Sequence, residues 1–239
     1  MKKLLATLMT ATLLVTTLQA EPPTGATAMT KDITKTWADS RGNDSQKWPL
    51  PVPLLAPDLS NAEFKAGLWQ YADGVLSVTG SGGGLSELWT KESYANYALS
   101  LEFRCAEGTN SGVLLRCSDT ADWIDNTIEV QILQGEAADG KHANGAIFDC
   151  LAPRRQVVIK PGEWHRYIII ANGRDIQVWL DNDEIIKMNL DDWPAAGKNP
   201  DDTPNKFKKA YKDLPREGRI GFQYHGTPVE FRNIRIEKF

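Results

Sequence analysis

The sequence is poor in the residues and motifs that mark common catalytic and cofactor-binding sites. Its 239 residues include only three cysteines and three histidines, and the cysteine spacings match no zinc-binding pattern. It contains no G-x-S-x-G, H-E-x-x-H, P-loop or dinucleotide-binding motif. The glycine-rich stretch at 80–84 lacks the lysine and the following helix of a phosphate-binding loop. The usual signatures of serine hydrolases, zinc proteases and nucleotide-binding enzymes are therefore excluded.

The chain also lacks an excess of positive charge. It has 27 lysines and arginines against 31 aspartates and glutamates, a formal net charge of −4. Nucleic acids and anionic membrane surfaces recruit clustered positive charge. We therefore expect no nucleic-acid partner.

One long apolar run is present, and it lies at the N-terminus. Two lysines precede it, and Ala20 supplies the small residue of a cleavage site, so residues 1–20 are predicted to be a secretory signal peptide and the mature chain is expected to begin at Glu21. The alternative is a membrane anchor, but the run from Leu4 to Val15 is shorter than the roughly 20 apolar residues that span a bilayer. We expect a periplasmic or secreted protein with no membrane insertion after signal cleavage.

The three cysteines allow at most one intramolecular disulfide in such an oxidising compartment. Cys105, Cys117 and Cys150 are the candidates. The alternative interpretation is that all three are small buried apolar residues, and the sequence leaves the pairing open.

The remaining chain is predicted to form a flexible lead-in followed by one all-β domain. Residues 21–46 are rich in Thr, Pro, Asp and Ser with little periodicity, and residues 47–239 form the domain. Short runs of alternating hydrophobicity predict strands, and "ANGRD" (171–175) predicts a hairpin between two of them. This pattern predicts a sandwich or jelly roll. The predicted strands are 73–80, 97–105, 112–117, 127–133, 166–171, 175–181, 184–190, 219–226 and 229–239.

One interval, 193–218, has a different pattern. Phe207, Ala210, Tyr211 and Leu214 recur at helical spacing between two prolines. A short surface helix is predicted there.

Strand alternation places several polar side chains on one face of a sheet. In "TIEVQIL", Ile128 and Val130 point one way and Glu129 and Gln131 the other, because alternate residues of a strand face opposite sides. A polar face is ordinarily just a solvated one. This set, however, lacks lysine and has the planar hydrogen-bonding groups that bind sugars beside aromatic rings such as tryptophan. Its predicted members are Arg116, Glu129, Gln131, Gln223 and His225.

Several stretches between residues 55 and 239 match a pattern found together in one protein family. They include "NSGVLLR" (110–116), "IEVQIL" (128–133), "GAIFDCLAP" (145–153) and "NKFKKAYKDLPREGRIGFQYHG" (205–226). In these stretches the chain resembles the 3-keto-disaccharide hydrolase family, long known as the domain of unknown function DUF1080. The resemblance implies a concanavalin A-like jelly roll of two antiparallel sheets with a sugar-binding face.

The resemblance also implies a reaction on an oligosaccharide or glycoside that carries a ketone at C3. The ketone acidifies the hydrogen at C2, so a base can remove it to form an enediolate that expels the group at C1. Water then adds to the unsaturated product, so that elimination and hydration together amount to hydrolysis. Such a site needs a base, an oxyanion stabiliser and, in some cases, a divalent metal ion.

Applied to this chain, the resemblance implies roles for seven side chains. Either Glu129 or His225 is the base, and either can also be a ligand of a divalent metal ion. Arg116 stabilises the developing enolate. The remaining residues are expected to bind substrate: Gln131 and Gln223 hold hydroxyl groups, Lys160 is another oxyanion partner, and Asp149 is a hydroxyl or metal ligand.

Two other functions remain open from the sequence. The same jelly roll can serve as a non-catalytic carbohydrate-binding module. The chain can also be an ordinary glycosidase in which Glu129 and Asp149 are the two carboxylates, with a separation of about 5 Å for retention and about 6.5–9.5 Å for inversion.

Overall fold

The computed structural model describes residues 51–79, 86–137 and 139–239. The predicted signal peptide, the lead-in and the glycine-rich stretch at 80–84 lie outside the described residues. In the described part of the chain, regular structure is almost entirely β. The strands are β1 (Val52–Pro53), β2 (Ala62–Glu63), β3 (Trp69–Ala72), β4 (Val75–Val78), β5 (Ser86–Tyr94), β6 (Tyr97–Cys105), β7 (Asn110–Cys117), β8 (Ile128–Leu133), β9 (Trp164–Asn172), β10 (Asp175–Leu180), β11 (Asp183–Asn189), β12 (Gly218–Tyr224) and β13 (Val229–Lys238).

The strands form two antiparallel sheets. The larger sheet has the order β11-β10-β9-β6-β13-β4-β3, with β1 paired to β13, and the smaller has the order β2-β5-β12-β7-β8. The prediction of an all-β jelly-roll sandwich is confirmed. No helix in the described ranges is long and apolar enough to cross a membrane.

Alternating apolar side chains from both sheets fill the core. In β8, Ile128, Val130 and Ile132 are almost completely buried within it, as the alternation predicts. The nine strands predicted from the sequence correspond to β4 and to β6 through β13. Strand β5 shows no such alternation. Its three consecutive residues Leu88 to Thr90 are all buried, so both faces of the strand are covered there.

The predicted surface helix is wrong. The only helical turn within 193–218 is a single 3-10 turn at Tyr211–Asp213. The apolar residues that suggested a helix are buried against the core from an irregular segment. Side chains tie that segment together and to the rest of the fold: Asn199 Nδ2 donates to the Asp149 carbonyl oxygen at 3.1 Å, and Asn199 Oδ1 accepts from Trp193 Nε1 at 3.0 Å.

The placement of Arg116 is also corrected, because a β-bulge reverses the alternation at the end of β7. The register of β12 with β7 shifts so that two residues of β7 oppose one of β12, and Arg116 has a φ of 51°. Cys117 therefore packs beside Leu114 on the outer face. Gly218 is required opposite the bulge, since a Cβ there would lie 2.4 Å from the Arg116 carbonyl oxygen.

The Arg116 side chain instead turns inward, where it is only 2% exposed. Its Nε donates to the Ala95 carbonyl oxygen at 2.8 Å and its Nη1 to the Gly173 carbonyl oxygen at 2.7 Å. The two acceptors belong to the β5–β6 and β9–β10 turns. Arg116 therefore ties two turns together, one between the two sheets and one within the β9–β10 hairpin, rather than facing a substrate.

All three cysteines are free and buried. Burial raises the pKa of the Cys105 and Cys150 thiols to about 12 and that of Cys117 to about 11. A thiol with so high a pKa is a poor nucleophile, so these residues act as small apolar side chains.

Replacing Arg116 tests its structural role. Arg116→Met should lower the free energy of unfolding by about 3 kcal/mol, because it leaves buried carbonyl oxygens without a donor. Urea unfolding monitored by tryptophan fluorescence measures the change. Arg154→Met removes an exposed arginine that pairs with Glu184, and this control should change stability by less than about 1 kcal/mol. Equal losses in the two variants would contradict the assignment.

Candidate active site

The outer face of the five-stranded sheet presents two rows of side chains across β5, β12, β7 and β8. The strand register aligns Trp89, Gly221, Leu114 and Glu129 in the first row. Continuing the same register aligns the second row, which contains Glu87, Gln223, Gly112 and Gln131.

Glycines let two large side chains lie flat on this face. A Cβ on Gly112 would lie 2.5 Å from Oε1 of Glu129, and a Cβ on Gly221 would lie 2.5 Å from the Trp89 ring. Neither approach is possible for a residue with a side chain. The carboxyl group of Glu129 therefore rests over β7, next to the position of Gln223.

Glu129 is a buried acid with an unusual proton affinity. Burial, its largest cause, raises the pKa of Glu129 to about 7, and the charge of Glu87 adds to this rise. The positive charge of Lys206 and a hydrogen bond with Gln223 act in the opposite direction. A carboxyl group with such a pKa can both accept and release a proton near neutral pH.

The long connection between β8 and β9 extends this face beyond β8. The backbone N–H of Gln131 donates to the Ala146 carbonyl oxygen at 2.9 Å, and the backbone N–H of Phe148 donates to the Glu129 carbonyl oxygen at 3.0 Å. This pairing places Phe148 beside Glu129 on the same face by alternation. The Lys206 ammonium lies 4.2 Å from the centre of the Phe148 ring.

The second row presents hydrogen-bond acceptors that no described residue satisfies. One buried side-chain oxygen of each of Glu87, Gln131 and Gln223 has no donor among the described residues. The amide nitrogen of Gln131 does have a partner, since it donates to Asn110 Oδ1 at 3.1 Å. Buried polar atoms in proteins almost always have partners. Three such acceptors on one row suit a ligand with several hydroxyl donors.

Asp149 lies near this face but is occupied in holding loops together. Its Oδ2 accepts from the Lys206 amide at 2.7 Å, and its Oδ1 lies 3.3 Å from His142 Nε2. His142 Nδ1 is in turn 2.9 Å from Asp139 Oδ1. Asp149 thus positions the segment that carries Lys206.

The two remaining predicted site residues are exposed. His225 follows β12 directly, and alternation puts it on the same face as Gln223, one residue pair further along. The Lys160 side chain is 77% exposed and lies 3.6 Å from Glu163. No hydrogen bond or ion pair of the described residues connects Lys160 with Glu129.

The structure thus brings Glu129, Gln131 and Gln223 to one face and excludes Arg116. The described residues contain no group of three or more His, Cys, Asp or Glu side chains placed to hold a metal ion. A donor set for the divalent ion that the resemblance allowed is not assembled there.

Two residues of the face were missed from the sequence. Glu87 lies on β5, whose burial on both faces hides the alternation, although "ELW" does place Glu87 and Trp89 on one side. Lys206 lies in the irregular segment that was predicted to be helical, so no periodicity could have assigned it to the sheet face. Trp89 packs against Trp123, with ring centres 6.4 Å apart.

Comparison with known proteins identifies the family. A profile described as the 3-keto-alpha-glucoside-1,2-lyase-like domain matches residues 31–237. The chain belongs to this family. A curated 3-keto-disaccharide hydrolase from Bacteroides thetaiotaomicron is 23% identical over 209 residues, which cover 71% of this chain and 69% of that protein.

Solved structures agree with the fold. A crystal structure of a candidate glycosyl hydrolase from Parabacteroides distasonis is 34% identical, with a TM-score of 0.73, and the match covers 81% of this chain and all of that one. A Bacillus subtilis protein with a galectin-like fold is 12% identical, with a TM-score of 0.52 over 80% of this chain and 97% of that one. The latter likeness shows the fold alone.

The raised pKa of Glu129 makes the stability of the protein depend on pH. In the unfolded chain this carboxyl group titrates near 4.5, and in the folded protein near 7. Between these values the unfolded chain releases a proton that the folded protein keeps, so stability falls as pH rises and levels off above about 7. The loss is on the order of 3 kcal/mol.

Replacing Glu129 by Gln should remove this loss. Relative to the wild type, Glu129→Gln should therefore gain on the order of 3 kcal/mol between pH 5 and pH 8 in urea unfolding experiments. Glu163→Gln, at an exposed glutamate, should follow the wild-type curve. If the free energies of unfolding of the wild type and of Glu129→Gln changed in parallel with pH, Glu129 would titrate like an exposed glutamate and the prediction would be wrong.

Proposed function

We propose that this protein is an exported enzyme that cleaves 3-keto-glycosides, with Glu129 as the base that removes the proton at C2. The observation that carries the proposal is the buried carboxyl group of Glu129, with a pKa of about 7, at the centre of a face that presents unpaired acceptors. Membership of a family described by 3-keto-glucoside lyase activity supports the substrate class.

The proposed reaction assigns a task to each part of the face. Glu129 takes the proton from C2, and the electrons of the C–H bond form an enediolate with the C3 ketone. The bond between C1 and the leaving oxygen then breaks, and water adds to C1 of the unsaturated ketone. Gln131 and Gln223 accept hydrogen bonds from hydroxyl groups of the sugar through their unpaired oxygens.

Lys206 stabilises the developing enolate, the role that the sequence analysis gave to Arg116. Its charge acts on Glu129, and its ammonium group lies over the Phe148 ring beside that residue. A cation at this position stabilises both the carboxylate form of the base and the enediolate that forms next to it. His225, which alternation continued past the end of β12 assigns to the same face, is the alternative base.

The exported location rests on the sequence of residues 1–20, in which lysines, an apolar run and a small-residue site occur in order. Intact mass measurement of the exported protein distinguishes a chain that begins at Glu21 from one that retains Met1.

The two-carboxylate glycosidase with Glu129 and Asp149 is a weaker candidate. Both oxygens of Asp149 are already engaged, one by the Lys206 amide and the other by His142. A residue held in this way is poorly placed to attack a sugar or activate water.

The decisive experiment compares a 3-keto-glucoside with its unoxidised parent. The wild type should cleave only the 3-keto compound, because only there is the C2 proton acidic. The value of kcat/KM should rise with pH through about 7, since the base must be ionised, and Glu129→Gln should lower turnover by about 10² or more. Sugar release measured by chromatography gives both quantities.

Matched variants separate the alternatives. His225→Gln should retain most of the activity if Glu129 is the base, and loss of activity in His225→Gln but not in Glu129→Gln would transfer the role to His225. Cleavage of the unoxidised parent would favour an ordinary glycosidase. Binding of either sugar without turnover would favour a carbohydrate-binding module.

A further inference from the structure

Glu87 is a second acid on the same face as Glu129, and neither the sequence motifs nor the comparisons give it a role. It lies on β5, and the register places it directly beside Gln223 of β12. Its Oε1 is buried and has no hydrogen-bond partner among the described residues. On the other side of Gln223, Gln131 presents a second unpaired oxygen although its side chain is only 2% exposed.

The two carboxyl groups are close enough to act on one substrate. Glu129 rests over Gly112 of β7, so β12 is the one strand that separates its carboxyl group from β5. Neighbouring strands are about 4.8 Å apart, which puts β5 about 10 Å from β7. The charge of Glu87 raises the pKa of Glu129, so the two groups influence each other electrostatically. The carboxyl pairs of inverting glycosidases are about 6.5–9.5 Å apart, a span of the same order as this strand spacing.

Burial raises the pKa of both acids. Lys206 and the hydrogen bond with Gln223 favour the ionised form of Glu129. Burial raises the pKa of Glu87, and no cation of the described residues lowers it. A carboxyl group with a raised pKa keeps its proton to higher pH than an exposed glutamate does, so Glu87 can serve as an acid on this face.

We propose that Glu87 is the general acid of this site: it protonates the leaving oxygen at C1 and then activates the water that replaces it. This assignment rests on the proposed 3-keto-glycoside cleavage and adds the group that serves the leaving side of the reaction.

The proton transfers balance over one cycle. Glu129 accepts the proton from C2, and Glu87 donates its proton to the departing oxygen as the C1–O bond breaks, which gives an alcohol and an unsaturated ketone. Water then attacks C1 while the Glu87 carboxylate accepts one of its protons. The enediolate that re-forms takes the proton back from Glu129 at C2. One water is consumed, and both carboxyl groups return to their first state.

The test uses two 3-keto substrates that differ only in their leaving group. One is a 3-keto disaccharide, whose sugar leaving group needs a proton, and the other is 3-keto 4-nitrophenyl glucoside, whose leaving group departs as a stable anion. Glu87→Gln should lower turnover of the disaccharide by about 10² to 10³ and change nitrophenol release only a few-fold. Glu129→Gln should lower both. Glu92→Gln, at the exposed end of the same strand where Glu92 pairs with Lys238, should change neither.

A second readout follows the product. With the nitrophenyl substrate, Glu87→Gln should accumulate the unsaturated ketone, seen by its ultraviolet absorption, because the water is no longer activated. Nitrophenol release also shows that the variant is folded.

Failure of the two proposals can be distinguished. A wild type that cleaves neither 3-keto substrate overturns the proposed function itself. A wild type that cleaves both, with a Glu87→Gln variant that treats the two leaving groups alike and accumulates no unsaturated ketone, overturns the role of Glu87 alone.

Discussion

A carboxyl group held away from water on the face of a sheet is the constraint on which this site depends. Glu129 can lie there only because Gly112 on the neighbouring strand has no side chain, and the resulting burial raises its pKa to about 7. Burying an acid in this way costs free energy, and the packing of the two sheets beneath it offsets that cost. The fold thus supplies the rigidity, and the glycine supplies the space.

The surrounding groups follow from the same constraint. A buried acid needs nearby polar groups, and Gln223 and Lys206 provide them from β12 and from the connection before it. The Asp149 carboxylate fixes the backbone at Lys206, and the Phe148 ring lies under its ammonium group. The long loops therefore position the Lys206 ammonium group so that its charge acts on the Glu129 carboxyl group. The unpaired oxygens of the second row are left for the ligand.

Sequence reasoning recovered the parts of the site that depend on strand alternation. Glu129, Gln131 and Gln223 lie on one face because β8 and the end of β12 alternate regularly at these residues. The placement of His225, which follows β12, stays a prediction. Arg116 was misplaced because one extra residue in β7 reverses the alternation, and a bulge leaves little trace in the sequence. The planar, strongly basic side chain that suggested substrate binding instead holds two turns together.

The prediction of a helix within 193–218 is wrong for a different reason. Its apolar residues occur at helical spacing, but they are spaced to reach the core from an irregular chain that side chains such as Asn199 stabilise. Local periodicity cannot separate these two cases, and tertiary contacts decide. Lys206, which lies in this segment, could therefore not be assigned to the face. Glu87 was missed because β5 is buried on both sides.

The most direct test of this account is the titration of Glu129 itself. Protein labelled with ¹³C at the glutamate side-chain carboxyl carbon can be followed by NMR from pH 4 to pH 9, with Glu129→Gln used to assign the signal. The account predicts one resonance, lost in that variant, whose midpoint lies near 7. A Glu129 resonance that titrates near 4.5, like an exposed glutamate, would contradict the claim that the sheet face tunes this carboxyl group to act as a base.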